Sequence, residues 1–498
     1  MVALHHEDDE PASETSPLVG DGRPPRDSPE DVPTQSSHNH PRLLRVVTLV
    51  IVTVFVIQVA DSMTKAPLMR LLEAVICRKY YKSAELADID LSLPIPEENC
   101  KLPPIQSQLA IFKGWDMVIS CIPGIILSVP YGILADKHGR RFVLLLGRAG
   151  VILALLWELF VIWFSNMLEL RWYLLGNVLL IMGGGSCVVR AMFLAIISDV
   201  APGDQRTRVF SMVYASSFFS TLVGTPLSWY LMKINVWVPM FVIVGLEILS
   251  FVLCLFLPET LVHSKLPVSS IGNGANSSDR QSFGNRIAQA IRSIQANLTI
   301  FESYVIFGLP FTFLLQTLHD YSLDILFQLA SERFHWSLAE ASFLFPISSI
   351  TAFLGLVFAL PAVYHVLSTR YQMATMAKDL LIARGSLVLC IIGALAVALS
   401  AVPSFFVIGM SSHHGLRSLV TSLVHPDEVS RLYTVLAVIE TVGQIAFGFL
   451  LPAALGWGLY LGGFWKGIPF LVCAALFVVI GLPIWLVKEP APEMDVHG

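Results

Sequence analysis

Gly132-Ile-Leu-Ala-Asp136-Lys137-His-Gly139-Arg140-Arg141 is the stretch from which the rest of the chain can be read. Apolar runs flank it at 106–133 and 142–164. Each is about as long as the ~20 residues that cross a hydrocarbon core as a helix. The link between them is polar and short. Gly132 has no side chain to hold a neighbouring helix away. Asp136 ends the first run and can face a helix N-terminus, where partial positive charge favours a carboxylate. Gly139 permits a sharp turn. Arg140 and Arg141 open the second run and can pair with carboxylates at the same membrane surface, such as Asp199.

Composition agrees with a membrane setting. Of 498 residues, 55% are hydrophobic and only 14% charged, with a mean hydropathy of +0.68; soluble domains carry about 25% charge. Such a chain cannot keep a water-facing surface, so soluble enzymes and disordered scaffolds are excluded. The net charge of −5 leaves no basic excess for nucleic acid. There is no CxxC pair, Walker loop, dinucleotide-binding glycine fingerprint, HExxH or GxSxG. The reading therefore expects no metal, no cofactor and no enzymatic activity. Five of the seven cysteines lie in apolar runs. Cys77 and Cys100 flank the polar stretch Arg78 to Asn99 and are the candidate disulfide.

Twelve apolar stretches recur at about 43–66, 106–133, 142–164, 172–196, 208–231, 237–257, 302–328, 337–361, 381–400, 402–424, 432–455 and 464–487. The expected fold is an all-α membrane protein: six helices at 43–257, a polar linker at 258–300, and six more at 301–487. Residues 1–42 hold nine acidic residues and seven prolines, a composition that favours a disordered tail; 488–498 form a second tail. Lys and Arg counts place both termini in the cytoplasm. The first outer loop and the helix top beside it break that rule with six basic residues, Lys65, Arg70, Arg78, Lys79, Lys82 and Lys101.

The halves echo each other. Asp61 precedes Glu73 by twelve residues, as Asp320 precedes Glu332. The pairs Gly183 and Gly409, Arg190 and Arg417, Arg206 and Arg431 are separated by 226, 227 and 225 residues. Three nearly equal offsets point to a duplicated six-helix unit.

On these residues the chain resembles the major facilitator superfamily. Its signature loop, G-x-x-x-D-[RK]-x-G-[RK]-[RK], is matched at Gly132, Asp136, Lys137, Gly139, Arg140 and Arg141. The stretch Ile197-Ser-Asp199-Val…Gln205-Arg206-Thr-Arg208 looks like the loop after the fourth helix in that superfamily. The overall pattern, including Pro67-Leu-Met-Arg70-Leu-Leu-Glu73, is most similar to fungal members of broad or unknown substrate range. The resemblance implies two six-helix bundles, alternating access, and a gating rather than substrate-binding role for the signature loop and Asp199. The chain departs from the drug antiporters, with Leu179 in place of an arginine and Gly224-Thr-Pro226-Leu-Ser-Trp lacking a terminal double glycine.

Ionisable groups inside spans are costly, which makes each a functional candidate. Asp61, Asp320, Asp116 and Glu158 fall in the outer half of their spans; Arg148, Arg190, Arg417 and Glu440 fall in the inner half. Asp61 and Asp320 are candidate proton carriers. Arg190 and Arg417 are candidates either for an anion site or for pairing with Asp199 and Glu440. The expected function is secondary active transport of a small organic solute, proton-coupled, with drug or toxin efflux within its scope. The protein would act as a monomer in the plasma membrane rather than the vacuolar membrane. A nutrient receptor built on a transporter fold and an energy-independent facilitator are the alternatives.

Overall fold

Hydrocarbon offers backbone groups no partners, so each long apolar run must satisfy its N–H and C=O groups internally, and helices result. The computed structural model describes residues 40–83, 95–200, 203–260, 304–373, 375–400, 402–411 and 429–486. Among them there is no strand. The helices form twelve segments: α1 His40–Ser83, α2 Pro103–His138, α3 Arg140–Trp163, α4 Leu170–Val200, α5 Gly203–Ile234, α6 Trp237–Phe256, α7 Tyr304–Arg333, α8 Leu338–Thr369, α9 Thr375–Leu399, α10 Pro403–Ser411, α11 Val429–Leu461 and α12 Ile468–Leu486. Nine of these described segments are long and apolar enough to cross a membrane. Arg417, residues 1–39 of the first tail, the 488–498 tail and most of the linker lie outside the described residues, and α1 takes up the last three residues of the expected first tail.

The twelve segments pack as two groups of six. In the first, α1 lies against α5 and α6, and α3 against α4 and α6. In the second, α7 lies against α11 and α12, and α9 against α10 and α12. The groups meet along α2 with α11 and along α5 with α8. Trp115 of α2 and Phe449 of α11 form an edge contact at 5.2 Å, and Trp229 of α5 meets Phe343 of α8 at 5.4 Å.

Two helices depart from the spans expected from hydropathy. α1 continues well past residue 66, because its polar extension is held by an Arg70–Glu73 ion pair one turn apart (2.8 Å) and by the bond between Cys77 and Cys100. α4 is broken. Its first part winds tightly up to Met182, and Gly184 and Gly185 then take positive φ. A Cβ on Gly183 would lie 2.1 Å from the Gly147 Cα, so α3 and α4 touch backbone to backbone here and only glycine fits.

Candidate functional site

Three layers of polar residues run along the molecule. At the end carrying the signature loop, Gly139 turns the chain with φ +99 and α3 begins at once. The Glu259 carboxylate, just beyond α6, accepts from the backbone N–H groups of Arg140 (3.0 Å) and Arg141 (3.3 Å). It occupies the space a Cβ on Gly139 would need. The carboxylate at this helix N-terminus is thus Glu259, whereas Asp136 and Lys137 are exposed. Arg140 pairs with Asp199 of α4 and donates to the Ala195 carbonyl (2.5 Å). The Thr260 hydroxyl reaches Asp199 at 3.3 Å, and Arg141 donates to the Leu255 carbonyl. These contacts tie α3, α4 and α6 within the first half.

Two further expectations, one of them an alternative offered for Arg190, are corrected in this layer. Asp199 is held by Arg140 and not by Arg190, which sits nine residues earlier on the same helix, about 13 Å along its axis. Gly132 does not permit a close approach, since a Cβ there would meet nothing within 4 Å.

The second layer lies mid-molecule. Asp61 is exposed although it sits far from either end of α1. The cations whose fields act on it are Arg148, Lys65 and Arg190. Since Lys65 reaches across to the second half, Asp61 faces the space between the halves and not lipid. Arg190 is exposed, and it and Glu440 both act on Cys187. Gln444 donates to Glu440 at 3.4 Å and lies 3.7 Å from the Cys121 sulfur, against which Tyr321 also rests. The structure thus brings Asp61, Arg190 and Glu440 into one neighbourhood, although counting along the spans put Asp61 in the opposite half from the other two.

Behind Asp61, Arg148 and Glu247 form an ion pair, each only 3% exposed. Arg148 Nη2 also donates to Ser250 Oγ (2.8 Å). Sequence reading singled out Arg148 but passed over Glu247, although one charge in the middle of the apolar α6 is the kind of signal that identifies such residues. Deeper in the first half, Lys113 pairs with Asp116 (2.7 Å), which also accepts from Asn177 (2.9 Å), and Tyr173 donates to Glu158 (3.0 Å).

The third layer closes the opposite end. Cys77 and Cys100 are joined, with Cα atoms 5.4 Å apart. Glu73, fully buried, accepts from Arg70, Lys101 and Gln106 at 2.8, 2.9 and 2.6 Å. Several bonds cross between the halves here. Lys101 donates to Ser331 (2.7 Å), Gln328 donates to the Gln106 carbonyl (3.1 Å), and the Leu338 N–H donates to Glu97 (2.7 Å). Lys65 pairs with Asp324 at 2.5 Å while its ammonium lies over the Phe345 ring. Asp320 is exposed one helical turn before Asp324. Among the described residues, no group of three or more His, Cys, Asp or Glu side chains could hold a metal.

The chain is similar to known proteins in sequence and in fold. The sequence profile described as Major Facilitator Superfamily matches residues 102–425. The MFS efflux pump atnC of Emericella nidulans is 32% identical over 98% of this chain and 95% of its own length. The efflux pump ustT of Aspergillus flavus is 26% identical over 94% of this chain and 93% of its own length. Among solved structures, a partially occluded inward-open form of the xylose transporter XylE from E. coli superposes with a TM-score of 0.58 at 12% identity, covering 90% of this chain and 98% of that one.

Proposed function

Because the chain belongs to the major facilitator superfamily and is a multi-pass membrane transport protein rather than an enzyme, we propose that it exports a small organic solute by alternating access, driven by protons that bind at Asp61. The observation that carries this reading is the setting of Asp61. It is a carboxylate exposed between the halves, amid three cations. Each uptake or loss of a proton there changes the charge of the space a solute must cross. The direction of transport rests on relatives named as efflux pumps. Both termini face the cytoplasm in this reading, so the disulfide end is external and the bonds that cross between the halves there close the outer side. The protein works as a monomer in the plasma membrane, with Asp320, Arg190 and Glu440 beside the path and Asp136 and the signature loop as its cytoplasmic gate.

A thermal-shift screen on the purified protein supplies a ligand, since a compound that binds the folded state raises its melting temperature. Uptake of that ligand into proteoliposomes with an imposed pH gradient is then the test. Accumulation that collapses with a protonophore, and loses its proton dependence in Asp61→Asn, is expected. Equilibration blind to the gradient would make the protein a facilitator, and binding without flux a receptor.

A further inference from the structure

Arg148 has more donors than its ion pair uses. One nitrogen, Nη2, serves both Glu247 and Ser250. Its Nε is buried without a hydrogen-bond partner among the described residues. An unfilled donor on a buried guanidinium is costly unless something satisfies it in another state. Arg148 is also the cation with the largest effect on Asp61. Asp61 has no hydrogen bond of its own among the described residues, so Arg148 stands between one carboxylate that holds it and a second that can be charged or neutral.

We infer that Glu247 is a positioning residue that sets how tightly Asp61 holds its proton, by sharing Arg148 with it. This rests on the reading of Asp61 as the proton-binding carboxylate. With Asp61 protonated, Glu247 alone neutralises Arg148, and the buried cation is never left unpaired. With Asp61 ionised, Arg148 carries two carboxylates, and its free Nε edge is the donor the second one can take. Ser250 fixes the geometry, since its hydroxyl accepts from Arg148 and donates to the Glu247 carbonyl (2.7 Å).

The other groups around Asp61 do not duplicate this role. On α1, Lys65 is committed to Asp324 of α7. On α4, Arg190 is exposed and shares its surroundings with Glu440 of α11. α5 presents neutral acceptors to the neighbouring turns of α1: the Ser217 hydroxyl accepts from Gln58 (3.0 Å) and the Ser220 carbonyl accepts from the Ser62 hydroxyl (3.3 Å). On α6, Cys254 acts on Arg148 besides Glu247. On α2, Cys121 is turned to Gln444 and Tyr321 of the second half. Among these, only the Glu247–Arg148 pair puts a fully buried charge of each sign behind Asp61.

The test needs no transported solute. Full-length protein in liposomes is titrated by infrared difference spectroscopy, following the protonated-carboxyl band that Asp61→Asn removes. Glu247→Gln leaves Arg148 uncompensated, which favours ionised Asp61, so the band's midpoint moves to lower pH by about one unit, tenfold in proton affinity. Arg148→Gln moves it to higher pH. Glu247→Asp, which keeps the charge, stays near wild type. A merely structural Glu247 would lower expression and melting temperature without moving the midpoint. Should Glu247→Gln fail to insert, Ser250→Ala replaces it, with a smaller shift in the same direction. A titrating Asp61 band whose midpoint is unmoved in these variants overturns the sharing of Arg148 alone. Absence of any band sensitive to Asp61→Asn overturns both this inference and the role of Asp61 on which it rests.

Discussion

Lys65 and Asp324 stand at equivalent positions of the two halves and pair with each other across the interface. They lie 259 residues apart. The same separation divides Asp61 from Asp320 and Glu73 from Glu332. A lysine in one repeat and an aspartate at the matching position of the other form a link that neither half could make with an identical copy of itself. The bond therefore favours the conformation in which the disulfide end is shut. The side chains are 43% and 31% exposed, so the pair adds little to overall stability, about 0–1 kcal/mol. That is still enough to shift a two-state equilibrium several-fold.

Asp324→Asn should therefore raise the population open at the disulfide end up to about fivefold, with little change in melting temperature. Spin–spin distances between labels on α1 and α7 at that end would register the change. The charge-swapped double variant Lys65→Asp, Asp324→Lys should return the distribution toward wild type. An unchanged distribution in the single variant would mean that the bond is incidental to gating.

Glu73 and Glu332 are the buried counterparts of that exposed pair. Glu73 has three donors, and Glu332 has Lys466 at 2.9 Å. Glu73→Gln should destabilise the purified protein by about 3 kcal/mol, because Lys101, 6% exposed, loses its innermost carboxylate. Glu98→Gln, on the same loop, should cost a few tenths at most. Thermal unfolding of the two variants side by side checks the contrast.

The helical layout was readable because bilayer thickness dictates a run length that survives in the hydropathy pattern, and the loop motif together with that layout pointed to the family. The first outer loop looked anomalous for its basic residues. Its Arg70 and Lys101 in fact bind Glu73 and Glu97, and Lys65 binds Asp324, so half of that excess is neutralised where it sits. No periodicity carries the remote pairings among them, Lys101 with Glu73 and Lys65 with Asp324. Glu259 caps a helix 119 residues away from it in sequence, and Glu247 finds Arg148 at a separation of 99. Depth along each span could be counted, but the helices are offset and bent. Asp61 consequently shares a layer with arginines that counting had placed below it.

Cys77→Ser should lower the melting temperature, and reductant should do the same to the wild type without adding to the effect of the variant. The bond closes a 23-residue separation, for which chain entropy gives about 3 kcal/mol. Both sulfurs are buried, so reduction requires local opening and should be slow in the folded protein.

The cap at α3 makes the final prediction. Glu259 satisfies two N–H groups at the first turn and places negative charge at the positive end of the helix dipole. Glu259→Gln keeps an acceptor but removes the charge, so the loss should be about 0.5–1 kcal/mol. Glu259→Ala removes both and should cost about 1–2 kcal/mol. Gly139→Ala should cost more than either, because a Cβ would lie 2.2 Å from the Glu259 carboxylate on a backbone already at φ +99. In the double variant Gly139→Ala, Glu259→Ala the clash disappears and only backbone strain and the lost cap remain. Its loss of stability should then be smaller than the sum of the two single losses, a coupling measurable by a double-mutant cycle of melting temperatures. Strict additivity would show that the carboxylate moves aside freely and that Gly139 is retained for its conformation alone.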